Sequence, residues 1–294
     1  MNLRRFFREY FSQILEVKPV LMMTPFTVSA LLPNDFVDPP FNLVIIDNAH
    51  QMRVEAALPS IARGDQLIVV GDLNLSLHAE DEGSESLLQA SLKAPEGIFK
   101  EVWLKWYYGH ETLIRFSNKQ FYNGGLFALP PPNLSDSRIE FIYVDGGRYV
   151  EEDGVNPQEA KAVVRKLLEE VNKLGGNDLT IGIVALNDSQ RDLIEELIER
   201  IYYESDANAI KGLLGVLDED QGVFEDVMAG ICKLRGLLDA GRVWVRSLES
   251  VQGKEADIVI LSMTYGKGAR QFGLISGKWG DRAVNLLATR AVSY

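Results

Sequence analysis

The run Val44-Ile45-Ile46-Asp47-Asn48-Ala49-His50-Gln51 limits the fold more than any other stretch of the chain. Apolar residues stop abruptly at an acid and polar residues follow. A strand of a parallel sheet, buried on both faces, reads as such an unbroken apolar run. It carries the next polar residue to the carboxyl edge of the sheet, where open α/β folds bind their ligands. Ile68-Val69-Val70-Gly71-Asp72 repeats the pattern: a second apolar run, then Gly-Asp.

The rest of the chain alternates in the same way. Strands are expected at residues 20–23, 43–47, 67–70, 139–144, 180–186, 243–246 and 258–262, with helical periodicity between them. Thr24-Pro25 reads as an N-cap and a first-turn proline, and Asn156-Pro157 repeats that signature before residues 160–173. Asp188 is the expected N-cap of a helix that ends near Tyr203. Strands that alternate with helices make βαβ units and parallel sheets. Residues 128–135 (Ala-Leu-Pro-Pro-Pro-Asn-Leu-Ser) form the clearest linker, and a domain boundary is expected between Tyr107 and this stretch. Residues 205–240, rich in Gly and Asp, read as an insertion with short helices.

Composition excludes several classes. Cys232 is the single cysteine, so there is neither a disulfide framework nor a zinc cluster. His50, His78 and His110 lie too far apart in sequence for metal-ligand spacing. No stretch reaches the roughly 18 apolar residues of a transmembrane helix, and Arg8 and Glu9 interrupt any signal-peptide core. No membrane partner and a reducing, cytoplasmic location are expected. Leu3, Phe6, Phe7, Tyr10, Phe11 and Ile14 recur at helical spacing, as in an amphipathic docking helix. The net charge of −12 argues against a generic nucleic-acid binder. Residues 188–226, however, hold 12 acids and 3 bases, so −9 of it is local, and a local basic channel elsewhere stays open.

Further segments complete the series: Pro19 to Val28; His110-Glu111-Thr112-Leu113-Ile114-Arg115-Phe116; Ser250-Val251-Gln252-Gly253-Lys254-Glu255; and Asn285-Leu286-Leu287-Ala288-Thr289-Arg290-Ala291. In this order the chain resembles the superfamily 1 helicases, in the 5′-to-3′ branch that includes RNA-decay and flap-processing enzymes. The resemblance implies an α/β fold of two RecA-like parallel-sheet domains of the P-loop NTPase class. The first, incomplete, would cover residues 1–107. The second would cover 108–294 and carry the acidic insertion. ATP and Mg²⁺ would be the cofactors. Single-stranded DNA or RNA, bound weakly, would be the partner, together with a chain supplying the missing N-terminal part.

Residue by residue, the resemblance puts Asp47 at the Mg²⁺ position and Asn48 where the family has its catalytic Glu. A carboxamide cannot take a proton from water. Gly71 and Asp72 match the next nucleotide-binding motif, but the γ-phosphate-sensing Gln falls at Leu75. The arginine expected before His110-Glu111 is absent. In the second domain Gln252, Gly253 and Glu255 match nucleotide-binding positions, Arg290 the arginine-finger position, and Arg282 another arginine, while Ala283 replaces a further one. No Gly-x₄-Gly-Lys-Ser/Thr segment occurs in the 294 residues, and by family order it would precede Met1.

Plainer roles stay open. Asp47 could cap a helix, Arg290 could be a surface arginine, and Glu255 could pair with Lys254. His50 reads better as a satisfied polar residue than as a catalyst. Trp103, Trp106, Tyr107 and Tyr108 fit an interdomain packing cluster better than a base-stacking platform. The reading favoured here is a degenerate helicase-like protein or helicase fragment, not catalytic alone. A non-enzymatic scaffold and one half of a split helicase are the alternatives.

Overall fold

The structure is a computed structural model and describes residues 2–34, 37–76, 85–129, 139–173, 179–215, 221–277 and 280–291. The chain divides into two compact units, Met1–Trp103 and Leu104–Tyr294.

In the first unit the order is α1 (Leu3–Val17), α2 (Pro25–Leu31), β1 (Phe41–Ile46), α3 (Val54–Ile61), β2 (Gly64–Val69) and α4 (Leu87–Leu92). The amphipathic α1 forms as expected, with a kink at Tyr10. Its Phe11 is buried and meets the ring of Phe41 edge-on at 6.1 Å. Thr24 caps α2 by accepting the N–H of Thr27. β1 and β2 pair in parallel, with Ile46 opposite Val69. On one face of this sheet Val44, Ile46, Leu67 and Val69 pack with Ala49, Ala57 and Leu87. On the other face Leu43, Ile45 and Ile68 are exposed. Arg63 is buried and donates to the carbonyls of Leu32, Pro33 and Pro59, tying the end of α3 to the chain before β1.

The second unit runs β3 (Trp106–Tyr108), α5 (Glu111–Phe121), β4 (Phe127–Leu129), α6 (Pro157–Lys173), β5 (Ile181–Ala185), α7 (Asp188–Tyr203), α8 (Ala207–Leu214), α9 (Gln221–Asp239), β6 (Val243–Ser247), β7 (Ile258–Ser262) and α10 (Gly280–Ala288). β3 and β4 form a small parallel sheet, and β6-β5-β7 form another. All five residues of β5 are buried, so helices cover both of its faces. Ala160, Val163, Val164, Leu167, Leu168 and Val171 recur at helical spacing along α6 and are all buried. Each of the larger side chains contributes about 1.5–3 kcal/mol on burial. The paired strands are all parallel, as the α/β RecA-like expectation requires.

Several expectations are corrected. Residues 20–23 and 139–144 are not strands: Val20, Met22, Ile139, Phe141 and Tyr143 are exposed, and the segments lack a ladder partner among the described residues. β propensity favours an extended backbone, but a strand exists only where a neighbour satisfies its N–H and C=O groups. Asn187, not Asp188, caps α7 by accepting the N–H of Gln190. Ala128 and Leu129 belong to β4 rather than to a linker, and residues 130–135 lie outside the described residues. Residues 205–240 do not form only short helices. The 19-residue α9 places Val227, Ile231, Leu234 and Leu237 in the main core.

The spacing of α6 and α9 yields a test. Gly230 sits where a Cβ would lie 2.6 Å from the Leu168 carbonyl oxygen, so the helices must part to admit one. Gly230→Ala is expected to lower unfolding stability by about 1–3 kcal/mol. Gly236→Ala on the same helix, with open space at its Cβ, should raise it by about 0.5–1 kcal/mol. Chemical denaturation of the two variants checks the pair. Equal effects would mean that α6 and α9 are not in close contact.

Candidate functional site

The first unit brings two of the motif loops together. Asp47 and Asn48 directly follow β1, and Gly71 and Asp72 follow β2. Because the strands are adjacent and parallel, both motifs lie at one carboxyl edge. Asp47 is exposed, and its carboxylate accepts the N–H of Asn48 at 2.8 Å. Asn48 sits in the left-handed region at φ +54°, which asparagine tolerates better than most residues. The turn is stitched on both sides: Ala49 donates to Val70, and Leu88 donates to Ala49. Asp72 opens a 3₁₀ turn over Leu73–Leu75, its carboxylate accepting the N–H of Asn74 at 2.8 Å.

His50 holds these loops in register. It is 3% exposed, its Nδ1 accepts the Asp72 N–H at 3.2 Å, and its carbonyl accepts Ser76 Oγ at 3.2 Å. Gly71 is needed for this contact, because a Cβ there would come within 3.0 Å of Nδ1. His50 is therefore a satisfied buried polar residue, as its sequence context favoured. Burial pushes its pKa below 6.5, against the pull of Asp72 and Asp47.

In the second unit, Gln252, Gly253 and Glu255 lie on the connection between β6 and β7, beside the end of α10. The Lys254 N–H closes a turn onto Val251 around Gly253, whose φ of +74° favours glycine. Arg290 is 6% exposed. Its guanidinium donates to the carbonyls of Leu286 and Lys254 and to Thr289 Oγ1, while Ala256 N–H donates to its carbonyl. Arg290 is thus neither a surface residue nor free-standing: it pins the Gln252–Glu255 turn to α10. Burial lowers its pKa, opposed by nearby Glu255. Tyr107 lies close by, its hydroxyl donating to the Ala291 carbonyl and its pKa raised by burial and Glu255. Glu255 is exposed and forms no ion pair with Lys254, and Arg282, near the start of α10, is half-buried. Of the four aromatics singled out in the sequence, Trp103 and Trp106 are exposed, and the Trp106 ring meets that of Phe127 at 5.3 Å.

One network has no counterpart among the expected site residues. Glu159 Oε1 accepts from Ser262 Oγ at 2.8 Å and from Thr264 N–H at 2.9 Å, and Glu159 Oε2 accepts from the Asn156 side-chain amide. Gln190 bridges Asn156 and Ser262. Thr264 is buried with φ +59°, an unusual place for a β-branched residue. The spacing Asn156-Pro157-Gln158-Glu159, a cap with an acid three residues on, is the signal that could have found it.

The His50 geometry predicts a pH effect. Its folded pKa lies below 6.5, so the unfolded chain binds more protons. The stability present above 6.5 is then lost as pH falls toward the folded value. Denaturation between about pH 7.5 and 5.5 should show the first unit weakening. His50→Gln should flatten that slope, and an unchanged slope would mean that another group titrates.

Residues 84–293 match the profile of a family described as AAA domain. The chain is 27% identical to an uncharacterized ATP-dependent helicase of Mycoplasma genitalium, over 97% of this chain and 25% of that protein. Its Mycoplasma pneumoniae homologue is 26% identical with the same coverage. An uncharacterized ATP-dependent helicase of Methanocaldococcus jannaschii is 25% identical over 60% of this chain and 30% of its own length. The chain thus spans about a quarter of the length of the first two relatives. No described helix is long and apolar enough to cross a membrane. With adjacent parallel strands ending in Asp47 and Gly71-Asp72, and with the profile covering most of its length, the chain belongs to the AAA-domain family as a superfamily 1 helicase-like P-loop NTPase.

Proposed function

We propose that residues 1–294 form a helicase-type module that keeps the strand-end acid of a nucleotide motor but does not hydrolyse ATP by itself. Asn48 carries this reading. It follows Asp47 at the position of the family's general base, offers only a carboxamide, and sits at φ +54°. Leu75 supports it too, since an alkyl side chain cannot sense a phosphate. Arg290 gives three of its five N–H donors to internal carbonyls and a hydroxyl.

Asp47 could lend Mg²⁺ one carboxylate, a common protein share when phosphates and water complete the octahedron. The phosphate side does not fit. These residues contain no Gly-rich loop to surround β- and γ-phosphates with N–H groups. No hydrolytic step therefore runs through Asp47 in this chain alone. MgATP binding by calorimetry should be weaker than micromolar.

The decisive assay is ATP turnover with and without single-stranded nucleic acid. No stimulated turnover is expected, since a missing general base alone costs about 10²–10⁴-fold. Asn48→Glu should not restore it, and should cost about 1–2 kcal/mol of stability in the left-handed conformation. Robust turnover abolished by Asp47→Ala would refute the proposal. Single-stranded DNA or RNA should bind weakly and be released at moderate salt, as phosphate contacts require.

A second reading, a non-enzymatic scaffold, is favoured by the exposed apolar face of Leu43, Ile45 and Ile68 on the β1–β2 sheet. It predicts that the chain binds a protein partner while nucleotide has no effect on that binding.

A further inference from the structure

In the second unit a cleft of about 540 Å³ opens between α5 and β4. Its floor is apolar: Ile114, 2% exposed, with Leu126 and Ala128. Its rim carries Glu111, Arg115 and Lys119, on successive helical turns of α5, and so a net charge of +1. Lys119 has no ion pair among the described residues. Arg115 reaches only Glu111, at 3.5 Å, with both side chains largely exposed. Such a pair is weak and gives way to a better partner. A net positive rim, with Glu111 at one end and Lys119 at the other, contrasts with the chain's net charge of −12.

The β4 edge explains what the cleft can recognise. Phe127 donates its N–H to Lys105, and Leu129 accepts the N–H of Gly109, so residues 127 and 129 face β3. In a parallel pair the alternate residues, Leu126 and Ala128, turn their N–H and C=O to the outer edge. Leu126 is satisfied there by Asn118, whose side-chain amide accepts its N–H and donates to its C=O, both at 2.9 Å. Asn118 therefore occupies the place of a neighbouring strand at Leu126. At Ala128, which lines the cleft, no backbone hydrogen bond fills that place among the described residues.

We propose that this cleft takes an extended acidic peptide. One peptide unit would pair with Ala128 as an added strand while carboxylates meet Arg115 and Lys119. The cleft lining contains no aromatic ring on which a base could stack, which favours a peptide over a single nucleic-acid strand. The proposal goes beyond the nucleotide reading and does not rest on it.

The test uses the whole 294-residue chain and fluorescence anisotropy at low salt. The probe is a fluorescein-labelled Glu-Val-Glu-Val-Glu peptide, with Lys-Val-Lys-Val-Lys and oligo-dT as rivals. The acidic peptide should bind and the basic one should not. The double variant Arg115→Glu/Lys119→Glu should weaken binding about tenfold or more, with an unchanged Tm and near-ultraviolet circular dichroism. N-methylation of the peptide at the valines, or at the glutamates, should abolish binding in one register and spare it in the other. Equal binding of the two peptides, indifference to the charge reversal, or indifference to both methylation patterns would overturn the proposal. So would displacement of the acidic peptide by oligo-dT in a way that the charge reversal abolishes.

Discussion

Backbone groups at the carboxyl ends of parallel strands lose their ladder partners, and whatever satisfies them decides what the adjoining loops can do. In the first unit the partner is His50, which binds the loop after β2 through a ring nitrogen and the 3₁₀ turn through its carbonyl. In the second unit Glu159 gathers the end of β7, and Arg290 gathers the turn before it. All three are polar groups committed to the scaffold. A buried polar group left unpaired costs about 1–3 kcal/mol, so each also fixes one loop geometry against its neighbours.

This construction was legible in the sequence only in part. The apolar runs at residues 43–47, 67–70, 180–186, 243–246 and 258–262 became strands because each finds a ladder partner. Residues 139–144 have a similar composition and stay without a ladder partner among the described residues, since pairing is a property of two segments and only one is visible locally. The acids of residues 205–240 concealed α9. Its core positions Val227, Ile231 and Leu234 keep helical spacing, but the Gly, Asp and Glu residues of this region blur the period. Asp47 and Gly71-Asp72 were legible as strand-end residues because an apolar run stops there, but the burial of both faces that such a run suggests is not met: Leu43, Ile45 and Ile68 are exposed. The Glu159 network was not, because Ser262 and Thr264 lie over a hundred residues away in sequence.

Arg290 shows how a motif residue can keep its place while its surroundings define its work. An arginine that stabilises a transferring phosphoryl group must present N–H donors to a ligand. Here three of the five N–H groups already serve internal acceptors, and the residue is buried. Glu255 and Tyr107 supply and shape the local charge. The same contacts explain why the Gln252–Glu255 turn is ordered: it hangs from the Lys254 carbonyl and from the Ala256 pairing with Ala291.

The two units are built on cores of different extent, and the smaller core carries Asp47 and Gly71-Asp72. The second unit is organised around β5, buried along its whole length, with α6, α7 and α9 contributing to one continuous core. The first unit rests on a two-stranded sheet with one covered face, and Leu43, Ile45 and Ile68 are left in water on the other. Sheets of two strands are marginal unless something packs against them. Asp47, Asn48, Gly71 and Asp72 all stand on this sheet. Local opening of the first unit therefore releases the strand-end acid and the His50 tie together, at a free energy below that of the second unit. The conformation of Asp47 is only as persistent as the cover over that sheet, so a partner that masked Leu43, Ile45 and Ile68 would also steady the acid.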